Sequence, residues 1–225
     1  MEQLIRLEGT PRTAQWGSDP DGYRAWPVDH IIERVVEYPW ALKFLKYITG
    51  NKVLDIGPGP FYVFPQILQY MNYNVTAIDV RPSAKRIIQD DICNSNLSVN
   101  DFDAIFCISA MPHFYDKTAA IQNIKKLIKK DGLVVITTGF SINENVKILN
   151  GYITTKNGTN EHGCSPLFKK EIDQWYNIFS ETIEIIYWKA WTEGWYLGKR
   201  LPFPVECNEQ EAQLMGVAFK NGTLN

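Results

Sequence analysis

The sequence lacks the features that mark several large classes of protein. Its 225 residues hold only three histidines and four cysteines. Cys93, Cys107, Cys164 and Cys207 form no Cys-x-x-Cys pair, and no histidine stands at ligand spacing from any of them. No metal site is therefore expected, and the thiols read as reduced groups of a cytoplasmic protein. No charge of one sign dominates: 23 Lys and Arg face 25 Asp and Glu, for a net charge of −2. Chains that track phosphate backbones carry a basic excess, so no nucleic-acid partner is expected. No charge-free run of about 18 apolar residues occurs, which argues against a membrane span. The opening residues, Met1 to Arg6, show no basic end feeding an apolar stretch, so no signal peptide is expected. The one surplus is aromatic: 13% of residues, with seven tryptophans, all outside the stretch from Lys52 to Thr138.

At this length a single domain spanning residues 1–225 is expected. Its parts read as an N-terminal helical cap (1–50), a core (51–138) and a substrate-side excursion with the last strands (139–225). In the cap, a helix runs through Ile31 to Val36, Pro39 breaks or restarts it, and apolar residues at helical spacing continue from Trp40 to Ile48. In the core, strand and helix signals alternate. Lys52–Ile56, Asn74–Asp79, Phe102–Ile108 and Leu133–Thr138 read as strands, with a short strand near Arg86–Gln89. Phe61–Met71 and Lys117–Lys130 read as helices. Continuous apolar strands between helices imply an α/β fold with a parallel sheet covered on both faces. Beyond Gly139, residues 141–166 form a polar excursion, Leu167–Phe179 is helical, Thr182–Trp188 is a strand, 191–208 is irregular and Gln213–Phe219 is a last strand.

The chemistry concentrates where the first strand ends, in Val53-Leu54-Asp55-Ile56-Gly57-Pro58-Gly59. A glycine-rich turn leaving a parallel strand lets backbone approach a ligand at the sheet edge where open α/β folds bind. A carboxylate at Asp55 repels a pyrophosphate but engages an ammonium. The spacing Gly57-x-Gly59-x-x-Tyr62 lacks the third glycine of the dinucleotide fingerprint. A ligand with a nucleoside and a cationic amino-acid end therefore suits this turn better than a nicotinamide dinucleotide. Asp79 ends the second strand, where a carboxylate accepts from both ribose hydroxyls. In Asp90-Asp91-Ile92 a carboxylate is placed to accept an adenine amino group while Ile92 packs on the base.

Together with Ala77-Ile78-Asp79-Val80-Arg81, Asp90-Asp91-Ile92-Cys93, Phe102-Asp103-Ala104-Ile105 and Gly132-Leu133-Val134-Val135-Ile136, this order of motifs resembles the class I S-adenosylmethionine-dependent methyltransferases. The segment Glu37-Tyr38-Pro39-Trp40 is similar to that of a less-studied subgroup of small members. The resemblance implies a Rossmann-like, seven-stranded, mostly parallel sheet with an antiparallel last strand and helices on both faces. It implies S-adenosyl-L-methionine as cofactor, with Asp55, Gly57 and Gly59 by the methionine part, Asp79 on the ribose and Asp91 by the adenine. Two departures stand out: Pro60 where the family has a small residue, and Pro112 where it often has Glu before His.

His113, after the strand Phe102–Ile108, is the candidate general base; the alternative is a histidine that shapes the pocket or caps the next helix. Trp16, Tyr23 and Trp26 read either as a lid whose aromatic faces attract the sulfonium or as a satellite core. Arg12 and Arg24 are candidates for the cofactor's carboxylate. Trp188, Trp191 and Trp195 either wall an acceptor pocket, face a second copy in a homodimer, or pack in the core. The run Lys125-Lys126 with Lys129-Lys130 reads as a solvated helix face rather than a phosphate patch. The expected activity is methyl transfer to an oxygen or nitrogen of a small molecule. The rivals are an RNA or protein methyltransferase, a catalytically inactive cofactor-binding subunit and, disfavoured by the turn, a nicotinamide-dependent oxidoreductase.

Overall fold

Along the central strands, alternate side chains enter two different apolar clusters. In β4 (Phe102–Ile108), Phe102, Ile105 and Cys107 join one, while Ala104, Phe106 and Ile108 join the other. In β1 (Lys52–Ile56), Val53 and Leu54 likewise diverge. A strand apolar on both faces must be covered on both, and here it is. One face carries α1 (Arg34–Leu42), the following 3-10 turn (Lys43–Tyr47) and α2 (Val63–Tyr70) through Trp40, Phe44, Phe64 and Leu68. The other carries α3 (Lys117–Leu127) and α4 (Lys169–Trp175) through Ile121, Ile124, Ile172 and Trp175. This computed structural model describes residues 33–59, 62–82, 84–143, 153–155, 158–160, 165–192 and 200–222.

Among the described residues the sheet has nine strands rather than seven. Its path is β10-β9-β11-β5-β4-β1-β2-β3, with β8 (Leu167–Phe168) pairing β5 off that path. The other strands are β2 (Asn74–Asp79), β3 (Ile88–Gln89), β5 (Ile128–Ser141), β9 (Glu181–Trp191), β10 (Arg200–Glu206) and β11 (Leu214–Lys220). A separate ribbon pairs β6 (Ile153–Thr155) with β7 (Gly158–Asn160). Strands β3, β2, β1, β4 and β5 are mutually parallel, and β11 runs antiparallel between β5 and β9. The last strand therefore has the direction expected of it.

The extra strands correct the sequence reading. β10 occupies part of the stretch read as irregular because of Pro202 and Pro204. Its ladder to β9 breaks between Arg200 and Val205, where the prolines stand, and it lies at the sheet edge, where a missing N–H need not face a partner. Pro39 does not break the first helix: it lies inside α1, one turn after exposed Val35. α3 stops at Leu127, three residues earlier than the periodicity suggests. Ile128 already ladders with Phe102, and Asp131 takes a positive φ of 62° before Gly132. The lysine run is tied to its neighbours: Lys129 pairs with Asp103 at 2.7 Å and Lys125 donates to Asn221.

Among the described residues the tryptophans are core. Trp40, Trp175, Trp188 and Trp191 are all buried, while Trp16, Trp26 and Trp195 lie outside the described residues. Trp40 docks α1 on the sheet. Its ring meets Trp188 edge-on at 5.7 Å, and its Nε1–H donates to Glu184 at 2.8 Å. Beneath it lies Gly216 of β11, where an added Cβ would sit 2.6 Å from Trp40 Cζ3. Gly216→Ala should therefore overpack this contact, at about 1–3 kcal/mol. Thermal unfolding should show a midpoint lowered by roughly 3–10 °C.

Cys93, Cys107 and Cys207 are free thiols; Cys164 lies outside the described residues. Among the described residues no helix is long and apolar enough to cross a membrane, and no cluster of His, Cys, Asp and Glu is arranged to hold a metal ion.

Candidate functional site

The parallel strands β1, β2 and β4 end together, and the loops that follow them build one polar edge. Registration sets the placement: Asp55 lies between Ala77 of β2 and Phe106 of β4, so Asp79 ends two residues beyond it on the neighbouring strand. Gly57 and Gly59 both take positive φ, 67° and 69°, which a side chain disfavours. Their surroundings differ. A Cβ on Gly57 would meet Ala110 Cβ at 2.6 Å, so this glycine lets the β1 turn close on the loop after β4. Among the described residues a Cβ on Gly59 would meet nothing within 4 Å, which leaves this glycine open to a ligand's approach.

Asp55 is almost fully buried, and its Oδ2 has no hydrogen-bond partner among the described residues. Burial, and then the charge of Asp79, push its carboxyl up to about 8, against the opposing pull of Arg34. An uncompensated acceptor in such a place is costly unless a donor joins it. Asp79 Oδ1 accepts from the Arg81 N–H at 2.8 Å, and the Gly59 N–H also bonds this carboxylate. Asp79 therefore pins the glycine turn as well as ending β2. Neither Asp90 nor Asp91 is simply solvated. Ser95 Oγ donates to Asp90 at 2.5 Å, the Cys93 N–H donates to Asp91 Oδ1 at 2.9 Å, and the Tyr115 hydroxyl also donates to Asp91. Asp91 thus caps the turn Ile92–Asn94, whose Ile92 is buried.

His113 lies on the 3-10 turn Met111–His113 after β4, at this same edge. It is exposed on one side, yet the protein around it, and secondarily the Arg34 charge, hold its imidazole below the ordinary range. It is therefore neutral at pH 7 and able to accept a proton. Trp16, Tyr23, Trp26, Arg12 and Arg24 lie outside the described residues, as does His162 of the polar excursion, a weaker candidate base than His113 from the sequence.

Two groups at this edge escaped the sequence reading. The first is on α1. Arg34 pairs with Glu37, donates to the Tyr38 hydroxyl, and lies close enough for its charge to act on Asp55 and His113. Burial opposes its charge, but Glu37, Tyr38 and Glu33 outweigh that and hold its pKa above the ordinary value. The second is Tyr62, at φ 53°, in the position where a dinucleotide fingerprint would carry its third glycine. The Arg86 guanidinium covers its ring at 3.9 Å, and Gln69 donates to its hydroxyl at 3.0 Å. The missing glycine was the available signal: its left-handed geometry persists with an aromatic wall in its place.

The family described as "Methyltransferase domain" matches residues 29–182. Among curated proteins, the ubiquinone biosynthesis O-methyltransferase of Glaesserella parasuis is 30% identical over 110 residues, covering 40% of this chain and 46% of the relative. The tRNA U34 carboxymethyltransferase of Campylobacter lari is 26% identical over 150 residues, covering 60% and 50%. The chain thus spans about half the length of these relatives. Among solved structures, an S-adenosylmethionine-dependent methyltransferase of Clostridium acetobutylicum superposes with a TM-score of 0.57 at 13% identity, covering 87% of this chain and 96% of that one. One from Archaeoglobus fulgidus also gives 0.57 at 13%, covering 83% and 94%. At these identities the likeness is one of fold.

Proposed function

Since this chain belongs to the methyltransferase-domain family, we propose that it transfers a methyl group from S-adenosylmethionine to an oxygen or nitrogen of a small-molecule metabolite. The observation that carries the reading is the unpartnered, buried Asp55 Oδ2 beside the Gly57–Gly59 turn, with Asp79 one strand away. When bound, the cofactor supplies a sulfonium methyl already activated for transfer. Asp55 accepts the ammonium of its amino-acid end, and Arg34, whose side chain keeps 30% exposure, pairs with its carboxylate. Asp79 accepts the ribose hydroxyls. Asp91 faces the adenine amino group, with Ile92 against the base. Gly59 leaves the space a nucleoside needs.

We assign His113 the proton an acceptor loses, a role its place on the turn after β4 supports. Much of the acceleration comes from holding the reactants in line, so one neutral base is sufficient machinery.

A small acceptor is favoured by the near-neutral charge and by the loop after β4. There Ser109 is turned to Glu37, donating to it at 2.6 Å, and so is committed within the protein. The likeness to a tRNA-modifying enzyme supports RNA as the second reading. A cell extract split into low-molecular-weight, RNA and protein fractions, each incubated with methyl-labelled S-adenosylmethionine and the protein, separates the two. Label should enter the low-molecular-weight fraction. Label confined to RNA or protein would overturn the small-molecule assignment.

A further inference from the structure

Glu37 is a carboxylate with no solvent exposure, in a place no catalytic group needs it. Such a charge is tolerated only where donors surround it. One oxygen receives Arg34 from one turn earlier on α1; the other receives the Ser109 hydroxyl at 2.6 Å. Ser109 is itself fixed. It holds a positive φ of 54° at the end of β4, and its N–H donates to Thr137 O at 2.8 Å and Thr137 Oγ1 at 3.1 Å. Thr137 is fully buried in β5. A continuous chain of bonds therefore runs from the sheet through Ser109 and Glu37 to the guanidinium of Arg34. The Tyr38 hydroxyl, also on α1, accepts from that guanidinium.

A long arginine side chain loses much of its rotamer freedom when it is fixed. Here that cost is met before any ligand arrives, which is preorganisation in the strict sense. Helix α1 is also anchored on the sheet by Trp40, which holds the arginine's helix in place.

We propose that Glu37, held by Ser109, is a positioning residue that sets the Arg34 guanidinium for the carboxylate of the cofactor's amino-acid end, making α1 part of the cofactor site. The inference rests on the role given to Arg34 above. Glu37 touches no ligand and acts through the arginine. Ser109 spends its hydroxyl on this clamp rather than on an acceptor.

Two ligands test it: S-adenosylhomocysteine, which has the amino-acid end, and 5′-methylthioadenosine, which keeps the nucleoside and lacks that end. Affinities are measured by calorimetry on the wild type and on Arg34→Gln, Glu37→Gln and Ser109→Ala, each first checked for cooperative unfolding. Glu37→Gln should weaken S-adenosylhomocysteine about tenfold or more, as loss of a charge-assisted contact does. Its affinity for 5′-methylthioadenosine should stay within about twofold, since no contact to the nucleoside is touched. Ser109→Ala should weaken the first ligand by a smaller factor in the same direction. Equal losses for both ligands with Glu37→Gln would mean that it supports the fold alone, and unchanged binding of both would remove it from the site; either overturns the inference. If Arg34→Gln leaves the preference for S-adenosylhomocysteine intact, the role of Arg34 fails and the clamp falls with it. A large loss with Arg34→Gln and none with Glu37→Gln rejects the clamp alone.

Discussion

The affinity of the protein for S-adenosylhomocysteine should rise steeply as pH increases from 6 to 8, and Asp55→Asn should flatten the rise. In the free protein, burial and the neighbouring Asp79 push the Asp55 carboxyl up to about 8, so at neutral pH it is mostly protonated. A ligand ammonium beside Oδ2 favours the ionised form, so binding must release a proton. Below pH 8, release of one proton makes affinity climb by up to roughly tenfold per pH unit. Above pH 8 the dependence should level off. Calorimetric titrations at half-unit intervals give the profile, and repeating them in two buffers of different ionisation enthalpy counts the proton. His113, held below its ordinary range, titrates toward the acid end and leaves the window near pH 7.5 to Asp55.

The same group makes the stability of the ligand-free protein pH-dependent. The folded pKa is raised above its ordinary value of 3.8, so between pH 4 and 8 the folded chain holds a proton that the unfolded chain has lost. Stability therefore falls as pH rises through that window. Asp55→Asn, which cannot ionise, should unfold at a higher temperature than the wild type at pH 8 and lose that advantage at pH 4.

Asp79→Ala should cost about a hundredfold in affinity for S-adenosylhomocysteine. Hydrogen bonds to a charged acceptor contribute about 1.5–3 kcal/mol each, and two ribose hydroxyls are at stake. A hundredfold is about 2.7 kcal/mol, which even one strong or two modest bonds reach. The loss has a second source, because the same carboxylate holds the N–H groups of Arg81 and Gly59. Without it the glycine turn is no longer pinned at its positive φ. Asp79→Asn separates the two effects. Its amide oxygen still accepts from a backbone N–H, so the turn persists, while the charge that strengthens the ribose contacts is gone. Its affinity should lie between those of the wild type and Asp79→Ala.

The parts of this edge that were legible in the sequence are those where local chemistry and topology coincide. Val53 to Ile56 reads as a buried strand because every residue is apolar except Asp55, and Gly57 and Gly59 announce backbone that must bend where side chains cannot. Asp79 is legible because a carboxylate ending an apolar strand has no role in packing. What was not legible depends on tertiary contacts. Arg34 and Glu37, three apart on a helix, carry no local mark of a site; the docking of Trp40 against Gly216 brings their helix onto the sheet. Ser109 carries no local mark of its bond to Glu37, 72 residues away. β10 was hidden because proline argues against a strand, and only its place at the sheet edge removes that objection. Tryptophans invite a reading as binding walls, yet Trp40, Trp175, Trp188 and Trp191 fill the seams between helices and sheet.

The central claim is that the ends of β1 and β2 receive the amino-acid end and the ribose of one ligand. A crystal structure of the complex with S-adenosylhomocysteine tests it directly. The ligand's ammonium should lie within hydrogen-bond distance of Asp55 Oδ2, with both ribose hydroxyls on Asp79. A nucleoside bound elsewhere, or one bound at this edge with Asp55 Oδ2 still unpartnered, would contradict the account.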